Sequence, residues 1–191
     1  MKTIKAEKKI EFEEKKSKFI GYIKPVSTKE EAENYIKEIK NKHKDATHNC
    51  SAYKVIENGQ EYFKVDDDGE PKGTSGKPMG EILTYMDINN VVVVATRYFG
   101  GIKLGAGGLV RAYAKTAKLS VQASEIMEYI KKETYLLEFS YDKVSEIDKL
   151  LNTSNDIIEK GFNDKVVYKV NLSDELFDKI SKIREVSIIK L

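Results

Sequence analysis

Apolar and polar positions alternate over residues 4–12 and 17–26, with Phe19, Gly21 and Ile23 on one side and Ile20 and Tyr22 on the other. A period of two predicts a pair of strands, the second ending at Pro25. The period then changes. Ala32, Tyr35, Ile36 and Ile39 recur at i, i+3, i+4, i+7, behind Ser27 and Thr28 as N-caps and Glu30 and Glu31 in the first turn. That predicts an amphipathic helix over 28–43, with Lys40, Lys42 and Lys44 suiting its negative end. Strands follow at Thr47–Ile56 and Glu61–Val65, around a hairpin turn at Asn58-Gly59. Thr74 or Ser75 caps a short helix over 76–86. Val91 to Val94 is an unbroken β-branched run, the pattern of a strand covered on both faces. A long alanine-rich helix begins near Gly108.

Residues 125–132 read as a boundary. Beyond them Thr134–Tyr141 alternates as a strand, and Asp142 caps a helix running through Leu151. Asp156–Phe162 and Lys165–Leu172 are strands, Ser173 caps a helix through Lys182, and Val186–Ile189 closes as a strand. The order β-α-β-β-α-β is the ferredoxin-like plan. The expected organisation is therefore α+β, with domains at 1–132 and 133–191.

The 191 residues suffice for one large domain or two small ones. The net charge of +2 is unevenly placed: residues 1–132 hold 24 Lys/Arg against 19 Asp/Glu, residues 133–191 hold 9 against 12. A polyanionic partner should meet the first part, while the acidic balance of the second suits a protein contact. One cysteine, Cys50, allows no internal disulfide. The charged N-terminus has no signal-peptide core, and the longest apolar run, Val91–Ala95, is too short to span a membrane. The expected location is the cytoplasm, with no membrane partner.

The chemistry concentrates between Asp87 and Glu125, where there is no acidic residue but five basic ones, Arg97, Lys103, Arg111, Lys115 and Lys118. Gly100, Gly101, Gly105, Gly107 and Gly108 punctuate the same stretch. Glycines admit positive φ and let a ligand reach the main chain, and a helix start offers unpaired N–H groups. Together they suit an anion such as phosphate. Arg111, Lys115 and Lys118 share one helix face by their i, i+4, i+7 spacing. Packing of helix on sheet is the competing use of these glycines. The loop is neither a Walker motif nor G-x-G-x-x-G, whose third glycine position is held by Val110.

Other constellations weigh less. His48 and Cys50 share a strand face, but a zinc site needs three or four ligands and only His43 adds another His or Cys. The acidic turn Asp66–Pro71 offers carboxylates to a metal without EF-hand spacing. Ser75 lacks the glycine of a hydrolase elbow, because Lys77 stands there. No catalytic residue, metal or cofactor is assigned on this reading.

Three blocks carry a family resemblance: Ala46–Tyr53; Asp67–Pro71 with Gly73–Pro78; and Arg97–Gly105 with Gly107–Tyr113. The chain resembles the IMPACT family over essentially its whole length, and in particular its two-domain bacterial YigZ-type branch. The resemblance implies an N-terminal domain like the second domain of ribosomal small-subunit protein five, a mixed sheet with helices on one face, followed by the ferredoxin-like domain. Similar folds adjoin at the ribosome-reaching end of elongation factor G. Eukaryotic relatives act in translational control through an added RWD domain that this sequence does not show, so the starvation-kinase role is not carried over. On the family motif, His48, Asp68, Glu70, Thr74 and Ser75 line a cleft.

The expected function is a non-enzymatic RNA- or ribosome-binding protein in translation regulation. Arg97, Lys103, Arg111, Lys115 and Lys118 would contact phosphates, and the Gly100–Gly108 backbone would admit the strand. Tyr98, Phe99 and Tyr113 either stack on bases or pack in the core. Two alternatives are an enzyme on a nucleotide or phosphorylated small molecule, with Asp68 or Glu70 holding a metal, and a protein-interaction module working through the C-terminal domain.

Overall fold

The computed structural model describes residues 1–57, 60–130, 132–151 and 156–191. The expected Asn58-Gly59 turn lies outside them. In chain order the elements are β1 (Lys2–Ile4), β2 (Lys8–Glu14), β3 (Ser17–Pro25), α1 (Lys29–Lys42), β4 (His48–Glu57), β5 (Gln60–Asp66), α2 (Gly76–Tyr85), β6 (Val91–Tyr98), α3 (Ala106–Gln122), β7 (Ile126–Glu128), β8 (Lys132–Phe139), α4 (Val144–Leu151), β9 (Ile157–Phe162), β10 (Val166–Ser173), α5 (Asp174–Ile180) and β11 (Ser187–Lys190). They fall into two compact units, Met1–Tyr129 and Ile130–Leu191.

The first unit is built on a five-stranded sheet in the order β2-β3-β6-β4-β5. Every pairing in it is antiparallel. The valine run forms its centre, and the two parities of β6 feed two separate cores. Val91, Val93 and Ala95 pack with Phe19, Ile23, Cys50 and Ala52 against Met79 and Leu83 of α2 and Leu109, Tyr113, Ala117 and Val121 of α3. Val92 and Val94 pack with Ile20, Tyr22, Tyr53 and Val55 against Ala32, Tyr35 and Ile39 of α1. The sheet is thus covered on both faces, which is why β6 is apolar at every position from Val91 to Ala95. The expected mixed sheet with helices on one face is corrected to an antiparallel sheet with helices on both.

Local chemistry sets the helix ends. Thr28 Oγ1 accepts from Glu31 N at 3.1 Å, and Glu31 Oε2 accepts from Ser27 N, the residue before the cap, at 2.6 Å; the two bonds start α1. Ser75 stands at the N-cap of α2, but its side chain caps nothing. The Asp67 carboxylate does so from a distance, accepting from Gly73 N, Ser75 N, Ser75 Oγ and Gly76 N at 2.7, 3.1, 2.6 and 2.9 Å. The span read as a boundary contains β7, which pairs antiparallel with β1.

The second unit has the strand order β11-β8-β10-β9, all antiparallel, with α4 between β8 and β9 and α5 between β10 and β11. Leu137, Phe139, Tyr168, Val170, Ile147, Leu151 and Ile180 fill its own core. Ser173 caps α5 as expected, accepting from Leu176 N. Ahead of α4 a 3-10 turn spans Tyr141–Lys143, with Ser140 rather than Asp142 at its N-cap position.

Candidate functional site

The residues singled out by motif divide between two places in the first unit. The inner one lies where β4 and β6 end side by side, His48 opposite Arg97. Arg97 extends the parity of Val91, Val93 and Ala95, so its side chain enters the core instead of solvent. It is only 6% exposed, and Nη1 donates to Glu70 Oε1 at 2.7 Å. Tyr113 Oη donates to the same oxygen at 2.7 Å, and Arg97 Nη2 donates to Ser17 Oγ at 3.3 Å. The guanidinium lies 5.7 and 5.5 Å from the ring centroids of Phe19 and Phe99. Arg97, expected to face phosphate, is thereby corrected to the buried partner of Glu70. A charge this deep requires an opposite charge beside it.

The remaining motif residues support that pair. His48 Nδ1 donates to the Asp68 carbonyl at 2.8 Å, leaving Nε2 3.8 Å from Glu70 Oε2. The Asp68 carboxylate holds Lys40 Nζ at 2.6 Å and accepts from Asn49 N at 2.6 Å. Thr74 Oγ1 donates to the Pro71 carbonyl, and Ser75 is fully buried against Asp67. Cys50 Sγ donates to the Asp67 carbonyl at 3.0 Å, and burial pushes the thiol up to about 12. Tyr113 is fully buried, and burial raises its hydroxyl well above the tyrosine range. It packs in the core instead of offering a stacking face. Among the described residues no group of three or more His, Cys, Asp or Glu is placed to hold a metal.

The outer place is the solvent side of α3 and the loop before it. Lys103, Arg111, Lys115 and Lys118 are all exposed. Lys115 Nζ lies over the Phe12 ring at 4.4 Å and 4.0 Å from Glu14 Oε2. Gly105 stands at the N-cap with φ 74°, and α3 has no side-chain cap and no acidic residue in its first turn. Gly101 has φ 86°, and a Cβ at either position would meet nothing within 4 Å, so both open onto free space. Gly107 is exposed, close to Arg111 Nη1.

Two glycines serve packing. A Cβ on Gly100 would sit 1.7 Å from the Lys16 carbonyl oxygen, and one on Gly108 2.9 Å from Leu104 Cβ. The Gly100 main chain is therefore occupied by the β2–β3 turn, which corrects the expectation that it lies open to a ligand. Phe99 is half exposed but lies over Arg97. The Tyr98 hydroxyl binds His43 Nδ1 at 2.9 Å and donates to Asp45 Oδ1 at 3.1 Å on the opposite face of the sheet.

Sequence reasoning passed over Lys15 and Lys16. They form the two-residue turn joining β2 to β3, Glu14 pairing with Ser17, and take φ values of 47° and 64°. Such turns normally announce themselves with Asn-Gly, because side chains disfavour positive φ. Two lysines carry no such signal. Both are exposed, and Ser17 Oγ, which accepts from Gly100 N at 3.3 Å, ties them beside the α3 loop.

The Impact N-terminal domain matches residues 15–121. The IMPACT family member YvyE of Bacillus subtilis is 50% identical over 113 residues, 59% of this chain and 52% of its own length. The chain thus spans about half of that relative. The IMPACT family member YigZ of Escherichia coli is 32% identical over 160 residues, 83% of this chain and 78% of its own. A crystal structure of a hypothetical protein superposes with TM-score 0.70 at 27% identity, covering 100% of this chain and 96% of that one. The two-domain translational regulator Yih1 is 28% identical, aligned over 64% of this chain and 47% of its own with TM-score 0.40.

Proposed function

The chain belongs to the IMPACT family, and from that premise we propose that it is a non-enzymatic cytoplasmic protein that binds RNA or the ribosome and regulates translation. The observation that carries this reading is the exposed basic surface of α3. Lys103, Arg111, Lys115 and Lys118 lie beside a loop whose Gly101 and Gly105 are open to solvent. Lys15 and Lys16 extend the same positive ground. Such a surface neutralises phosphates in a row and reads few base edges, so binding is salt-dependent and weakly sequence-selective.

The acidic turn supports this reading over a carboxylate-held metal. Glu70 is committed to Arg97 and Tyr113, Asp68 to Lys40 and Asn49, and Asp67 to the start of α2. We read the first unit as a relative of the ribosomal-protein domain and the second as ferredoxin-like. Exposed Ile158 and Phe162 on the edge strand β9 give the second unit apolar ground for a protein partner. Among the described residues no helix is long and apolar enough to cross a membrane.

Co-sedimentation with purified ribosomes tests the proposal. The protein should pellet with them at about 50 mM salt and be released by about 200 mM, as counterion release requires. Failure to pellet at the lower salt overturns the reading.

A further inference from the structure

A cleft of about 250 Å³ opens between the β2–β3 turn and the first turns of α3, lined by Glu14, Lys15, Leu104, Gly108, Arg111, Ala112 and Lys115. Three of the side chains lining it are cations, drawn from two elements far apart in sequence. Gly108, Leu104 and Ala112 leave the remaining walls short. The anion already there is Glu14, whose Oε2 lies 4.0 Å from Lys115 Nζ. The cleft's shape rests on the contact at Gly100, where the Lys16 carbonyl fills the space a side chain would need. We infer that this cleft is a seat for one phosphate group, held by Lys15, Arg111 and Lys115, with Glu14 as the internal anion that a phosphate displaces.

The inference rests on the RNA-binding reading and sharpens it. Phosphates elsewhere on the basic surface would be held loosely, while the one in the cleft sets the register of the strand. Arg111 supplies a planar fork and the lysines supply point charges, the combination suited to a tetrahedral dianion or a phosphodiester. The same chemistry would hold a free phosphate compound, so the test separates the two sources.

The full chain, labelled with ¹⁵N, is titrated by NMR with decauridylate and, separately, with inorganic phosphate. Lys15→Glu, Glu14→Gln and Lys118→Glu are titrated alongside. Decauridylate should move the amides of Lys15, Gly108 and Ala112 first. Lys15→Glu should weaken it roughly tenfold and Lys118→Glu only about threefold, since one charge lines the cleft and the other lies outside it. Glu14→Gln should tighten it about threefold by removing the competing anion. If decauridylate binds but Lys15→Glu and Lys118→Glu weaken it equally and Glu14→Gln does nothing, the seat is overturned while the RNA reading stands. If decauridylate fails and inorganic phosphate saturates the same amides, the seat stands for a free phosphate compound and the RNA reading falls. Phosphate shifts scattered over all lysines, with no decauridylate binding, overturn both.

Discussion

The buried end of β6 and the exposed face of α3 draw their charge from one acid-free stretch of chain, yet they use it in opposite ways. Arg97 is enclosed by Glu70, Ser17 and two aromatic rings, and its charge serves the fold. Arg111 projects into solvent, and its charge is available to a partner. The difference comes from parity and period. In a strand whose alternate residues fill one core, the next residue of that parity goes inward whatever its polarity. On a helix, Arg111, Lys115 and Lys118 lie opposite Ala112, Tyr113, Thr116 and Ala117, which are buried. A count of basic residues treats the two arginines alike; their registers do not.

The sharpest way to break the comparison is Glu70→Ala. It leaves Arg97 buried without a counter-charge and Tyr113 without an acceptor, so stability should fall by about 3–5 kcal/mol. Urea denaturation measures this. A loss under 1 kcal/mol would mean that the pair is not the structural element described. RNA binding by the folded fraction should be unchanged, because Glu70 does not reach the α3 surface.

Arg111→Glu with Lys115→Glu is the converse experiment. Both side chains are exposed, so the unfolding midpoint should move by no more than about 0.5 kcal/mol in stability. Affinity for a single-stranded RNA should drop by about two orders of magnitude, with a shallower salt slope. Filter binding at fixed low salt decides it. An unchanged affinity would place the binding surface elsewhere.

Much of this was legible before any coordinates. The helical periods, the valine run and the β-α-β-β-α-β order all show in sequence, because local periodicity is a local property. The fate of Arg97 was legible too, since it shares parity with Val91, Val93 and Ala95, but its positive charge pointed the reading outward. Its partner was not legible: Glu70 lies in the turn after β5, and the pairings of β5 with β4 and of β4 with β6 bring the two together. The roles of the glycines were equally hidden. Gly100 and Gly101 are neighbours in sequence, but one receives the Lys16 carbonyl and the other faces open space. Contacts between distant segments decide such matters, and no window of sequence contains them.

Gly100→Ala joins the two regions in one experiment. The added methyl meets a backbone carbonyl, which cannot rotate away as a side chain would, so the β2–β3 turn must move. The cost should be about 1–3 kcal/mol in thermal or urea unfolding. Because the turn carries Lys15, RNA affinity should fall as well. Gly101→Ala meets no neighbour, and its cost comes from its positive φ alone. If Gly100→Ala destabilises without altering RNA affinity, the turn's lysines do not belong to the binding surface.

Asp67 gives the smallest effect and a case between the two extremes, a half-buried charge used to start a helix. Burial alone would raise its carboxyl, but hydrogen bonds from Ser75, Gly73 and Gly76 outweigh that and hold it below the ordinary value of 3.8. A carboxyl lowered by folding favours the folded state while it is ionised. The contribution is present above 3.8 and disappears as pH falls through the lower value of the folded protein. Asp67→Asn should cost about 1 kcal/mol at neutral pH: the amide oxygen can replace Oδ1 opposite Ser75 and Gly76, but the amide nitrogen leaves Gly73 N–H without its acceptor and the charge is gone. Other carboxylates also weaken the fold in acid, so the telling quantity is the gap between wild type and variant in urea titrations at successive pH values. The gap should hold from pH 7 down towards 4 and narrow below it. A gap independent of pH across that range would mean that the geometry of the turn, and not its charge, starts α2.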